Sequence, residues 1–416
     1  MIQSVKGVKD ILPDEIGRWR LVEDTARRLS QLYGFREIRV PIFEFTELFA
    51  RSIGASTDIV EKEMYTFPDR DGKSLTLRPE GTAGVVRAYI EHNLAAASTV
   101  QKFFYFGPMF RHERPQAGRL RQFHQFGVEA MGSTSPLADV EVIALLWRVL
   151  TELRLPGLTL EMNSIGTVED RAAYKTILVA FLNQRLERLC ENCRRRIETN
   201  PLRVLDCKVP ACRAATEDAP RIADSLSAAS HAHFEDVLSG LKDLGIPYTL
   251  NPRLVRGLDY YGLTTFEVTS HHLGAQNAVG AGGRYDGLVE ALGGPPTPAV
   301  GFAVGLERVA LMLPESVVPA VGNLVVVAAF GTHGAAAGVR VLHELRANGV
   351  RSDMDTRLAS LKSHLRHADR LGATFVVIIG DNEASSGRAI IRNMATKDQR
   401  EVPISEIFHF FSDQPG

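Results

Sequence analysis

Apolar positions near the start of the chain recur at helical spacing. Trp19, Val22, Ala26, Leu29 and Leu32 fall close to that spacing, and Gly34 stands where a helix C′ residue would. Residues 38–45 then form a strand-like apolar run interrupted by Pro41. Proline cannot donate to a ladder, so this strand is expected at a sheet edge or an interface. Residues 75–77, 103–106, 123–131 and 158–162 also have strand character, and 140–150 has the pattern of a buried helix. Between about 168 and 245 the texture becomes long, polar and helical. Strand-like segments and glycine loops return over 254–304.

Beyond a linker flanked by Pro314 and Pro319 the alternation is regular. Strands are expected at 324–329, 351–354, 374–379 and 389–393, with helices at 335–348 and 358–372. The pattern predicts an α+β fold with two domains. Residues 1–321 form an antiparallel-rich domain interrupted by a mostly helical insertion at approximately 168–245. Residues 322–416 form a small α/β domain with a partly parallel sheet.

The 416 residues are enough for two or three buried cores, and 23% charged residues is ordinary for a globular chain. A formal net charge of −1 excludes a basic nucleic-acid coat, so nucleic acid must be met by local patches. Residues 1–13 carry charges and no apolar signal-peptide core, and no apolar stretch approaches the ~18 residues of a membrane span. Four cysteines, all between Cys190 and Cys212, fit a reducing compartment, so a cytoplasmic location without membrane contact is expected.

Candidate chemistry lies in four runs. Phe110-Arg111-His112-Glu113-Arg114-Pro115-Gln116, followed by Gly118-Arg119-Leu120-Arg121 and 122–129, brackets an arginine-rich loop between apolar strands. Inward arginines hold phosphates bidentately. On the return strand, alternation keeps Phe123, Gln125, Val128 and Glu129 from sharing one face without a kink. Arg78-Pro79-Glu80-Gly81-Thr82 places a carboxylate and a hydroxyl in a turn, a grip for an ammonium group. Arg256-Gly257-Leu258-Asp259-Tyr260-Tyr261 and Gly282-Gly283-Arg284-Tyr285-Asp286-Gly287-Leu288 combine close backbone approach with flat aromatic walls. Gly301-Phe302-Ala303-Val304-Gly305-Leu306-Glu307-Arg308 joins a small-residue strand to an arginine-headed helix.

Together these runs closely resemble the histidyl-tRNA synthetase family of class II aminoacyl-tRNA synthetases. The segment around Pro41 resembles class II motif 1, 111–129 motif 2 and 300–308 motif 3. The blocks at 256–261 and 282–288 resemble two that are peculiar to histidyl enzymes. Gly262-Leu263-Thr264-Thr265 departs from the family's usual Thr-Gly-Thr-Val-like run. The resemblance spans essentially the whole chain. It implies a class II antiparallel-sheet catalytic domain with a helical insertion and a C-terminal α/β anticodon-binding domain.

The implied activity is ligation of L-histidine to tRNA(His) through a histidyl-adenylate, with ATP and Mg²⁺, by a homodimer. By the same resemblance Arg111 contacts the α-phosphate, Arg308 the γ-phosphate side, and Arg256 the carboxylate and α-phosphate. Glu80, Thr82 and Gln125 hold the histidine α-amino group, and Gly81 belongs to the same histidine-binding set. Glu129 and Tyr261 read the imidazole, with Tyr260 shaping the pocket. Arg114, Gln116, Arg119 and Arg121 meet the tRNA acceptor end. In the tail, Lys362, Arg366 and Arg370 form a basic stripe opposite Leu358, Leu361 and Leu365; by itself such a stripe is usually a solvated face, but the family's tail domain binds the anticodon. The competing identity is the synthetase-like regulatory subunit of ATP phosphoribosyltransferase, which shares the catalytic fold, does not charge tRNA and usually lacks the tail.

Cys190, Cys193, Cys207 and Cys212 leave two readings open. Two closely spaced pairs can close a Cys₄ zinc knuckle. Histidyl synthetases do not generally need zinc, and that favours four reduced thiols with no metal.

Overall fold

The structure is a computed structural model. It describes every residue except Met1, Ala55, Ser56, Asp58, Ala117, Arg256, Gly257, Ala275, Gln276, 319–321, Leu358, Ala359 and 413–416. The chain divides into two compact units, Met1–Pro319 and Ala320–Gly416.

The first unit is built on an eight-stranded sheet. Its six central strands run, in order, Gln101–Phe110, Gln122–Met131, Ala299–Gly305, Ala278–Arg284, Gly262–Ser270 and Leu158–Ser164, all antiparallel. Short parallel strands, Arg36–Glu37 and Thr249–Leu250, close its two edges. Strand periodicity separates two faces. Phe104, Phe126, Val128, Ala130, Phe302 and Val304 pack under the helices Pro13–Leu32, Pro136–Glu152 and Ala228–Asp243. Phe103, Tyr105 and Met131 face the other way, toward the helix Thr82–Glu91 and the helical segment that follows residue 168.

Local sequence sets these helices. Pro13 begins the first, with Asp14 and Glu15 in its first turn, where acidic charge favours the helix dipole. Ser135 caps the Pro136–Glu152 helix by accepting from the Leu137 amide at 3.2 Å.

The run 38–45 is not one strand. Only Phe43–Phe45 is a strand, at the edge of a separate three-stranded sheet; Arg36–Glu37, just before the run, joins the large sheet, and the Val40 and Pro41 carbonyls between them accept from the Arg78 side chain. The return strand alternates as expected, without a kink. Its register with Gln101–Phe110 is unbroken, so Phe123, Gln125 and Glu129 share a face and Val128 alone turns to the core.

The second unit has a five-stranded sheet, Ser352–Met354, Val325–Ala329, Phe375–Ile379, Arg388–Asn393 and Gln399–Pro403 in spatial order. The first three are parallel and the last two antiparallel. Helices cover both faces. The helix expected at 358–372 runs Leu361–Arg370; Leu358 lies outside the described residues. Lys362, Arg366 and Arg370 are exposed, while His364 and Ala368 are the buried centre of the opposite face and Leu361 and Leu365 pack partly beneath. No helix among the described residues is long and apolar enough to cross a membrane.

Candidate active site

One cleft in the first unit gathers Glu80, Thr82, Arg111, Arg119, Gln125, Glu129, Tyr260, Tyr261 and Arg308. Its floor is the sheet. Register sets Gln125, Gly127 and Glu129 between Gly107, Tyr105 and Phe103 on one side and Gly305, Ala303 and Gly301 on the other. The small residues leave room for the functional groups. A Cβ on Gly301 would collide with the Glu129 carboxylate, and one on Gly127 with the Tyr105 ring.

At one end of the cleft lies an acidic, aromatic pocket. Glu129 is 1% exposed. Its Oε1 accepts from Thr82 Oγ1 at 2.8 Å and Tyr105 OH at 3.4 Å, and its Oε2 accepts from Tyr285 OH. Burial pushes its carboxyl up to about 8 despite these donors, and the neighbouring Glu80 charge adds to the rise. Glu80 is also buried. Its oxygens accept from the Thr82 and Ala83 amides at 2.6 and 2.9 Å, capping the helix Thr82–Glu91. Burial raises its carboxyl too, against those bonds and the pull of Arg111. Tyr260, Tyr261 and Tyr285 form the wall, with centroid separations of 4.6 Å and 5.5 Å from Tyr260 to the other two. Gln125 Oε1 is buried without a hydrogen-bond partner, an acceptor aimed at something other than the protein.

The other end is basic. Arg111 Nε donates to Pro79 O at 2.8 Å, and its guanidinium lies 5.3 Å from the Phe123 ring centroid. Arg308 Nε donates to Gly118 O at 3.1 Å, and Nη1 donates to Ala278 O. Burial, with Arg119 and Arg111 nearby, holds the Arg308 guanidinium below its usual range. Arg119 pairs with Glu113, and Glu307 accepts from the His124 amide at 2.8 Å. The arginines are thus oriented by carbonyls, a ring and the Glu113 carboxylate at this end of the cleft.

Some expected site residues lie elsewhere. Gly81 is beside the cleft and does not line it; it gives the Tyr105 ring room. Arg256 lies outside the described residues. Arg114 is exposed, Gln116 bridges Arg119, and Arg121 is bound to the N-terminal segment through Gly7 O at 2.7 Å from its amide. Tyr105 and Tyr285, which hold Glu129, were not expected there. Tyr285 stood in the quoted Gly-Gly-Arg-Tyr block, so its position was visible and its partner was not.

A family model described as histidyl-tRNA synthetase matches residues 7–309, and one described as an anticodon binding domain matches 324–414. The histidine–tRNA ligase of Desulfatibacillum aliphaticivorans is 51% identical over 405 residues, covering 97% of each chain. The apo histidyl-tRNA synthetase of S. aureus is 38% identical, covers 99% of this chain and 100% of its own, and superposes with a TM-score of 0.82. A Bacillus halodurans structure described as an ATP phosphoribosyltransferase regulatory subunit/histidyl-tRNA synthetase shares the fold, with 20% identity, coverage of 91% and 98%, and a TM-score of 0.68. With both family models spanning nearly its full length, the chain belongs to the histidyl-tRNA synthetase family.

Proposed function

We propose that the chain activates L-histidine with ATP and transfers the histidyl group to the 3′ end of tRNA(His). The observation that carries this is the layout of one cleft, with Glu80, Glu129 and the tyrosines at one end and Arg111 and Arg308 at the other. That layout matches a substrate whose cationic and imidazole parts lie apart from a polyphosphate.

Glu129 and Tyr261 read the two imidazole nitrogens, one a donor and one an acceptor in the neutral ring. Tyr260 packs the ring. Glu80 and the unpaired Gln125 Oε1 take the α-ammonium, beside the Gly81–Thr82 turn. The Thr82 hydroxyl donates to Glu129, so its part is to orient that carboxylate. The histidine carboxylate then attacks the α-phosphorus of ATP. A new P–O bond forms, the bond to the bridging oxygen breaks, and pyrophosphate leaves with the electron pair. Two anions meet in this step, so positioning and charge neutralisation dominate. Arg111 serves the α-phosphate, Arg308 the γ-phosphate side, and Arg256 the carboxylate and α-phosphate.

Glu113 and Glu307, at the arginine end, carry the carboxylate oxygens that would hold a magnesium ion accompanying ATP, which would add charge neutralisation there. In the second step the terminal tRNA hydroxyl attacks the histidyl carbonyl and AMP departs. Arg114, Gln116, Arg119 and Arg121 meet the acceptor end; Lys362, Arg366 and Arg370 meet the anticodon. The chain works as a homodimer. Ile42, Phe43 and Phe45, in the motif 1 segment, are exposed apolar residues, which supports burial there by a second copy.

Histidine-dependent exchange of pyrophosphate into ATP, followed by charging of tRNA(His), tests the reading. A folded protein without exchange would act as a regulatory subunit or a binding protein instead.

A further inference from the structure

The four cysteines play no part in the cleft, yet the fold brings all of them together. Their Sγ atoms lie within 4.8 Å of one another, and none is in a disulfide. A tetrahedral zinc–thiolate centre, with Zn–S of about 2.3 Å, requires S···S separations of about 3.8 Å. Small rotations about the Cα–Cβ bonds, which swing the sulfurs, close that difference. Cys190 immediately precedes the helix Glu191–Thr199, and Cys193 lies in its first turn, so one helix start presents the first pair. Cys212 sits in the helix Pro210–Ala215 and Cys207 in the turn before it. The Cys190 amide donates to Cys212 Sγ at 3.1 Å, an N–H···S contact that links the two halves and favours a thiolate acceptor. Lys208, Arg213 and Arg253 line a cavity with Cys207, placing cations where a doubly negative Cys₄ centre would need them.

We infer that Cys190, Cys193, Cys207 and Cys212 bind one zinc ion as a closed structural centre. All four positions are protein sulfurs, so no coordination position is left for catalysis. The centre staples the segment 189–216. That segment is fixed to the rest of the unit by Arg253, whose guanidinium donates to Thr216 O at 2.6 Å, Thr216 Oγ1 at 2.8 Å and Leu205 O at 2.9 Å. Arg253 stands on the loop leading to Tyr260 and Tyr261, so zinc would steady the approach to the tyrosine wall from outside the cleft. Buried thiols also pack well as small apolar groups, and Cys193, Cys207 and Cys212 do lie among Leu189, Ile197 and Val204. Apolar packing alone does not require the four sulfurs to converge on one point.

The test is metal analysis of the full chain purified reduced, without chelator and without added zinc, alongside native alkylation read by mass spectrometry. One zinc per chain is expected, with all four thiols protected and their alkylation accelerated on the order of tenfold or more by chelation. Fewer than ~0.5 equivalents, persisting after incubation with zinc, would overturn the inference in favour of packed thiols, because a closed Cys₄ site binds tightly. A disulfide among the four in the protected protein would overturn it as well. Cys193→Ser could unfold the segment, so a second measurement uses the unsubstituted chain produced in cobalt-containing medium. The intense visible bands of tetrahedral thiolate-bound cobalt are expected, and they should vanish on stoichiometric zinc addition. Their absence in protein that carries cobalt would exclude a four-sulfur centre.

Discussion

Arg284 and Tyr285 are adjacent in sequence, 0% and 1% exposed, and they lead to opposite kinds of buried charge. Arg284 closes on itself. It pairs with Asp139 and with Asp286 at 3.1 Å, and donates to Ser133 O at 2.8 Å and Ser135 O at 3.1 Å. Burial would raise the Asp139 carboxyl, but His233 and Arg284 outweigh it and hold the group below the usual carboxylate range. Tyr285 instead supports Glu129, which among the described residues is held by hydroxyl donors, and whose carboxyl is raised. The first cluster is finished by the fold. The second is held by hydroxyls, and burial disfavours its ionised form.

The largest effect expected from this contrast is on stability. Arg284→Ala leaves Asp139 buried without its main partner, and breaking such a pair costs about 3–5 kcal/mol. Denaturant unfolding of the variant measures it. A loss below ~1 kcal/mol would mean that water reaches Asp139 and that the cluster is not closed.

Glu129→Gln should behave the other way round. It replaces a buried carboxyl whose ionised form burial disfavours with a neutral isostere, so the unfolding midpoint should hold or rise. Meanwhile kcat/KM for histidine in pyrophosphate exchange should fall about 100- to 1000-fold, roughly 3–4 kcal/mol. Loss of stability with intact exchange would reverse the assignment of the two clusters.

The same contrast has a pH signature. The Glu129 carboxyl titrates near 4.5 when unfolded and is raised to about 8 in the fold. Between those values the unfolded chain has released a proton that the native chain keeps, so native stability declines as pH rises through this window. The slope from this group is at most about 1.4 kcal/mol per pH unit, and it flattens above pH 8. Thermal unfolding across that range should show the decline in the original chain and lose it in Glu129→Gln. Saturating histidine should diminish it, by favouring the ionised form. An unchanged slope in the variant would assign the titration to another group.

How much of this arrangement was visible beforehand depended on local pattern. Gln125 and Glu129 lie two periods apart on one strand, so a shared face followed from alternation, as did the core position of Val128. Tyr105 was hidden because 103–106 is aromatic at every position; only the register against Gly127 shows which rings face the cleft. The Arg284–Asp139 pair spans 145 residues, a separation no local pattern reports. In the tail, Gln399–Pro403 escaped notice because an exposed edge strand carries no apolar alternation, and only Val402 is buried there. The run at 38–45 was apolar without being one strand, since its exposed Ile42, Phe43 and Phe45 face away from the unit's core.

The tail helix supplies the solvent limit of the comparison and the smallest expected effect. Arg366 is exposed on Leu361–Arg370, in a groove shared with Lys362, Arg392 and Lys397. A charge in water is neither a closed pair nor a group awaiting a partner inside the fold, so Arg366→Ala should change stability by less than about 0.5 kcal/mol. If the groove meets tRNA, the substitution removes one phosphate contact. The slope of log affinity against log salt should then shrink by about 1, and charging at physiological salt should fall a few-fold. Pyrophosphate exchange, which needs no tRNA, should be untouched. An unchanged salt slope would return this stripe to an ordinary solvated face and send the search for the anticodon contact to another surface of the tail sheet.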